Sequence, residues 1–426
     1  MTVSKPIKAA LLATTLCVMA SNAQAETTPE AVIKHYADLA EAKYADSLAT
    51  AKTLDAAIDA FLAAPSEDTL KAARDAWLAS RVPYQQTEVY RFGNAIVDNW
   101  EGRVNAWPLD EGLMDYVDAD YYGSESDENA LYTANVIANA KININGEEVD
   151  ASKITPEFIS GTLQEAGGIE ANVASGYHAI EFLLWGQDLN GTDAGSGNRP
   201  ATDFSLENCS NDHCDRRRQY LSAASDLLVA DLEEMAANWQ AGGAARKALE
   251  EAGPAGGLTT ILTGMGSLSY GELAGERMKL GLLLGDPEEE HDCFSDNTHN
   301  SHLYDAVGIR NVYLGSYTKV DGSVVSGPSL SELVAQRDAA IDGELKADLD
   351  ATIASMETMA RRAEATEAYD QMIASGNAEG NAVVQAAIDG LVKQTRSIER
   401  AIAALDLGTI ELEGSDSLDN PNAVFQ

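Results

Sequence analysis

Apolar residues recur at three- and four-residue steps along most of this chain, and no stretch alternates polar with apolar long enough to form a core strand. That period commits the chain to helices. Thr28-Pro29-Glu30 supplies a cap, a proline for the first turn and an early acidic residue. Ile33, Tyr36, Ala40, Tyr44, Leu48, Ala51, Leu54, Ile58 and Phe61 then share one stripe until Pro65. Ser66 starts a second helix carrying Leu70, Ala73, Trp77 and Tyr84, which Pro83 kinks or ends. Further helices are expected over about 129–140, from Thr155-Pro156-Glu157 to Trp185, and over 215–252, 257–285, 329–374 (broken near Gly343) and 377–407. Asn143-Ile144-Asn145-Gly146 has hairpin chemistry, but one hairpin does not make a sheet. Residues 285–317 read as a polar loop region. The fold class is all-α, as two helical bundles over 26–200 and 201–410. The Gly-, Asp- and Asn-rich stretch 186–202 joins them, and an acidic tail over 411–426 is expected to be mobile.

The first 25 residues have a different character. Lys5 and Lys8 precede an apolar run from Ala9 to Ala20, which ends in Ala23-Gln24-Ala25. This is the layout of a signal peptide over residues 1–25, with cleavage expected before Glu26, and the run is too short to span a bilayer. Thr14-Thr15-Leu16 lacks the small residues that precede a lipidated cysteine, so Cys17 does not make the chain a lipoprotein. The expectation is an exported protein of the periplasm or cell envelope, with no transmembrane segment after cleavage. Lys and Arg number 29 against 68 Asp and Glu, a formal net charge of −39. Nucleic acid and anionic lipid need basic patches, so neither is a partner of such a chain. Cations are attracted and the protein stays dispersed, although solvated carboxylates adapted to a saline habitat would look the same. In an oxidising compartment Cys209 and Cys214 are expected to close a small disulfide loop, with Cys293 a competitor for either.

Three constellations carry chemistry. Gly176-Tyr177-His178-Ala179-Ile180-Glu181 places an imidazole and a carboxylate three positions apart, on one helix face. The pair can converge on a cation, or it can be a hydrogen-bonded structural contact. Its apolar flanks make an uncompensated charge costly. Phe182 follows Glu181, so neither His-Glu-x-x-His nor its inverse is present, and two ligands fall short of the three that a catalytic zinc needs. The second constellation runs from Glu288 to His299 and is crowded with His and Asp. It reads either as a capped, solvated loop or as a loop carrying Asp296 or His299 to a site elsewhere. In the third, Glu272 and Arg277 sit in an apolar, small-residue helix, where structural pairing is favoured over a site.

Together these segments resemble the imelysin-like family, which includes the insulin-cleaving membrane protease and iron-regulated protein A. The resemblance rests on Gly176-x-His178-x-x-Glu181, matching that family's GxHxxE motif, and on Glu-Phe-Leu-Leu-Trp-Gly following it. Arg81-x-x-Tyr84-x-x-x-Glu88, Trp107-Pro108-Leu109-Asp110, Arg217-Arg218-Gln219-Tyr220-Leu221 and Phe294-Ser295-Asp296-Asn297-Thr298-His299 extend it over most of the chain. The resemblance implies an envelope protein with two helical-bundle domains, a site in the cleft between them centred on His178 and Glu181, and a link to iron acquisition. Asp292 stands where the family pattern suggests Ser, and it is not assigned to the site.

Two functions from different classes follow. One is a periplasmic metal-binding module serving iron uptake, with an envelope iron-uptake component as partner. The other is an imelysin-type metallopeptidase, in which Glu181 would be the catalytic residue. A non-catalytic helical scaffold is the plainest alternative. Iron is favoured as the metal, with zinc and copper also compatible, because mixed imidazole and carboxylate ligands suit any divalent or trivalent cation. Metal handling is favoured over hydrolysis, since no open metal position and no base are visible locally. His178 and Glu181 need help from other segments. The residues expected to supply it are Glu88 and Asp110 from the first half, and Glu272, Arg277, Ser295, Asp296 and His299 from the second.

Overall fold

The computed structural model describes Met1 and residues 26–425, so the rest of the expected leader, Cys17 included, lies outside the described residues. The first helix, Pro29–Ala63, starts where the Thr28 side chain accepts from the Ala31 N–H. Its stripe from Ile33 to Phe61 is buried apart from half-covered Leu48. Glu67–Gln85 follows, opened by a reciprocal Ser66–Thr69 cap, with Pro83 in its last turn. These two helices pack on each other and, with Gly176–Trp185 and Cys214–Trp239, form one group. A second group holds Thr298–Leu314, Ala339–Ala365, Ala378–Ala404 and a π-helical stretch, Leu268–Lys279. The first helix packs on Gly253–Ser267, and Glu67–Gln85 packs on Thr298–Leu314, so the groups touch. The buried apolar residues form one cluster running from Val32 to Ile402. The fold is all-α.

Strands are confined, among the described residues, to two antiparallel hairpins. Lys141–Ile144 pairs with Glu147–Asp150 through the expected Asn145-Gly146 turn. Ser316–Thr318 pairs with Val324–Ser326, which the sequence pattern did not announce. Cys209 and Cys214 form the expected disulfide, and Cys293 is a free thiol.

Several elements differ from expectation, each for a local reason. Residues 129–140 are turns rather than a helix. There the Leu131 N–H donates to Asn129 Oδ1, the Ala138 N–H donates to Asn135 Oδ1, and Asn139 Nδ2 donates to the Ala134 carbonyl. Such side chains offer the backbone an alternative to the helix ladder. The expected helix from Thr155 to Trp185 is broken into Pro156–Phe158, a π turn over Ile159–Leu163, a loop, and then Gly176–Trp185. Residues 285–317 are not all loop. Thr298–Leu314 is a helix whose buried face includes His299, Ser301, His302 and Asp305, so it carries no apolar period to read. The break in the later long helix falls at Asp338, whose side chain caps Ala340 and Ile341, and not at Gly343. The acidic tail is docked against the π-helical stretch. The Glu413 N–H donates to Ser267 Oγ at 3.1 Å and Ser417 Oγ donates to the Gly275 carbonyl at 2.9 Å.

Candidate metal site

The site begins with a close approach of backbone. Gly176 opens its helix at φ +82°, and a Cβ there would lie 2.4 Å from the Val104 carbonyl oxygen, so only glycine fits. The Tyr177 N–H donates to that same oxygen at 2.8 Å, and Trp77 Nε1 donates to the Tyr177 carbonyl at 2.9 Å. Every residue of Gly176–Trp185 is buried, as its all-round apolar composition requires. His178 and Glu181 follow one turn apart. His178 Nδ1 lies 3.0 Å from Glu181 Oε2, and the other carboxylate oxygen accepts from the Ser295 N–H at 3.0 Å and from Ser295 Oγ at 2.6 Å.

A second segment, Glu290–Asn297, meets this helix. Asp292 Oδ1 is 3.9 Å from His178 Nδ1 and accepts from Arg81 Nη2 at 2.8 Å. Asp292 Oδ2 accepts from Asn297 Nδ2 at 2.8 Å and from Ser301 Oγ. The His291 ring lies edge-on to His178, centroids 4.7 Å apart. Arg81 Nη1 donates to Asn105 Oδ1 at 2.6 Å, and Asn105 Nδ2 lies 3.4 Å from His291 Nε2. One ligand atom from each of His178, His291 and Asp292 lies within 4.8 Å of the other two. His178 Nε2 and His291 Nδ1 are buried without a hydrogen-bond partner. Two imidazoles, each with an unpartnered ring nitrogen, and a carboxylate in one buried cluster are groups that can hold a cation, so the residues present are compatible with one.

The electrostatics set the protonation. Burial pushes the His178 imidazole down to about 3, and Arg81 pushes the same way. Burial pushes Glu181 well above the carboxylate range, and the Asp292 charge adds to it. Burial would also raise Asp292, but Arg81 holds it below its ordinary value. Without a cation, then, Asp292 is the anion, and the His178–Glu181 pair is an acid bonded to a neutral imidazole. Ligation through His178 Nε2 puts the imidazole proton on Nδ1 and leaves Glu181 ionised as its acceptor. That is the carboxylate–histidine arrangement that orients metal-bound imidazoles.

Of the other residues expected at the site, Ser295 alone is bonded to the pair. Glu88 and Glu272 instead flank Arg277, at 2.7 Å each, in a buried network with Asp305. Asp110 accepts from Asn129 Nδ2. Asp296 is half-buried at φ +57°, with Oδ1 unpartnered. His299 Nε2 lies 3.0 Å from Asn300 Nδ2. His291 and Asp292 are the residues that sequence reasoning missed. Both lie in the crowded 288–299 stretch, and Asp292 was set aside as a departure from a family pattern. The usable signal was Arg81, a buried cation that demands an anion.

The imelysin family model, of the peptidase M75 class, matches residues 40–398. Iron-regulated protein A of Synechococcus elongatus is 37% identical over 71 residues, 16% of this chain and 20% of that protein. The aligned stretch therefore spans only a fifth of that relative. A solved structure described as an iron-regulated protein A precursor from Parabacteroides distasonis superposes with a TM-score of 0.62 at 19% identity, covering 90% of this chain and 97% of that one. An imelysin-like protein from Psychrobacter arcticum gives 0.56 at 18% identity, over 89% and 97%. At these identities the likeness is one of fold.

Proposed function

Since the chain belongs to the imelysin family, we propose that it is an exported metal-binding protein serving iron acquisition, with His178, His291 and Asp292 as ligands and Glu181 orienting His178. The observation that carries this reading is the convergence of three donor groups from two segments, with two imidazole nitrogens left bare in a buried place. The preference for iron rests on the name of the Synechococcus relative, which speaks of regulation by iron. The donor set itself also suits zinc or copper. Export rests on the leader-like first 25 residues. Among the described residues no helix is long and apolar enough to cross a membrane.

Peptide hydrolysis is the weaker reading of the same residues. His178 and Glu181 are 1% and 0% exposed, which gives a polypeptide no approach, and Glu181 is already held by His178 and Ser295. Metal analysis of untagged protein, followed by calorimetry with ferrous iron and zinc, tests the proposal. His178→Ala and His291→Ala are expected to abolish binding with the helical circular-dichroism signal intact, and Glu181→Gln to weaken it about 10- to 100-fold, as loss of an orienting carboxylate does. Equal affinity in wild type and all three variants would make the cluster a brace of the fold. Cleavage of casein or insulin chains that vanished in Glu181→Gln would establish the peptidase instead.

A further inference from the structure

A groove outside this centre is walled by aromatic rings, ends in carboxylates and, among the described residues, has no basic residue in its lining. Its open part, about 320 Å³, is lined by Trp107, Tyr121, Tyr122, Tyr132 and Asp110. Tyr122 and Tyr132 stack flat, ring centres 4.1 Å apart. Tyr121, Glu288, Cys293 and Phe294 are shared with a narrower recess whose lining also includes Glu111, Glu290 and Asp370. The recess leaves about 10 Å³, enough for one water-sized group. Glu290 is 1% exposed and Asp370 2%. Glu290 Oε1 and both Asp370 oxygens have no hydrogen-bond partner. The backbone N–H groups of Asp370 and Gln371 face the Asp370 carboxylate and lower its pKa, without reaching hydrogen-bond geometry. Buried carboxylate oxygens without donors are costly, and among the described residues no cation offsets them. Burial, with Asp188, pushes Asp370 up to about 7. Burial, with Glu288, pushes Glu111 up to about 8.

We propose that this groove binds a primary ammonium group carried on an apolar stem, as in a lysine side chain or an alkyl amine. An ammonium is water-sized, positive and has three N–H donors. The recess is water-sized, is lined by carboxyl groups and offers three bare oxygens. A guanidinium is planar and wider than an ammonium, and an inorganic cation would make no use of the aromatic wall. The stem lies against Trp107 and Tyr121, where apolar contact and the ring faces favour an alkylammonium. His178, His291 and Asp292 do not line the groove, so this site adjoins the proposed metal centre, through Trp107 edge-on to His291, without sharing its ligands.

Calorimetry on metal-free protein in EDTA at pH 7.5 tests the assignment independently of the metal reading. The probes are butylamine, Nα-acetyl-lysine amide and the neutral Nε-acetylated form of the latter. Both amines are expected to bind and the neutral compound to fail. The lysine amide binds more tightly if peptides are the source, and the two amines bind equally if free amines are. Asp370→Asn is isosteric and removes a buried acid, so the fold should hold while amine affinity drops at least tenfold. Glu288→Gln, at the junction of groove and recess, should weaken binding as well. Unchanged affinity in both variants, equal binding of the neutral compound, or full displacement of the amine by magnesium at matched ionic strength would each overturn the proposal.

Discussion

Arg81 is buried beside the His178–Glu181 helix, its guanidinium 5.0 Å from the centre of the Tyr177 ring and 2.8 Å from Asp292. Breaking a buried pair by removing one partner leaves the other charge uncompensated, so Arg81→Met is expected to cost about 3–5 kcal/mol in urea unfolding. A loss below about 1 kcal/mol would mean that water reaches Asp292. The histidines set the acid limit. Burial holds His178 and His302 down at about 3, so both are neutral in the native state. Unfolded, they take up protons below about 6.5. The unfolded state then binds more protons, and stability falls as pH drops from about 6.5 towards 3, by up to about 1.4 kcal/mol per unit for each ring. His302 lies outside the proposed ligand triad and has no hydrogen-bond partner among the described residues on either ring nitrogen. His302→Phe should therefore flatten the acid limb between pH 6.5 and 4, and an unchanged slope of the urea midpoint against pH would contradict this. Metal affinity follows a different group. Ligation needs Glu181 ionised, and burial favours its protonated form, so affinity should rise with pH, with about one proton released per ion. Titrations in two buffers of unlike ionisation enthalpy measure that release, and no difference in heat between them would contradict it.

At the level of elements, the Leu268–Lys279 stretch shows how a weak helix can be held in place. Glycine costs a helix interior about 1 kcal/mol relative to alanine, and here it permits close approach. A Cβ on Gly271 would lie 2.7 Å from the Glu413 carbonyl oxygen, and one on Gly275 would lie 2.3 Å from the Ser415 Cβ. Gly271→Ala and Gly275→Ala are each expected to leave the helix intact but push the 411–419 segment off it. A glutamate-specific protease should then cut after Glu411 and Glu413 in the variants well before it cuts wild type. Equal cleavage rates would mean that the tail is held from elsewhere. Thr298–Leu314 makes a related point. Asp305 reaches Arg277 at 3.1 Å and Ser301 bonds Asp292, so the first half of this helix is buried by polar partners, and Ala306, Ile309, Val312 and Tyr313 bury the second.

Across the whole molecule the dominant quantity is a net charge of −39. Acidic residues outnumber basic ones by more than two to one, so like-charge repulsion at the surface outweighs the exposed ion pairs, most of which are worth little. Raising sodium chloride from about 10 mM to 500 mM shortens the screening length from roughly 30 Å to a few ångströms. The melting temperature should rise over that range, with no aggregation on the way. A fall would mean that paired charges such as Arg310–Asp350 and Arg400–Glu344 contribute more than the repulsion removed.

The sequence by itself determined whatever depends on neighbours a few positions away. Spacing and caps placed Pro29–Ala63, Glu67–Gln85 and Ala378–Ala404. The Cys-x4-Cys separation marked the disulfide, and the three-residue step put His178 and Glu181 on one face. Local rules failed where polar side chains compete for the backbone, as with Asn129, Asn135 and Asn139, or where a buried face is itself polar, as in Thr298–Leu314. Only the tertiary structure could bring His291 and Asp292 to His178 and separate the Arg277 network from it. Glu181 and Ser295 are 114 positions apart and yet bonded. Beside that contact, Gly176 lets its helix press on Val104, and one buried arginine, Arg81, pairs with Asp292 of the same distant segment as Ser295. No periodicity encodes such an approach: it is decided by how two backbones close on each other and by the need of a buried charge for its opposite.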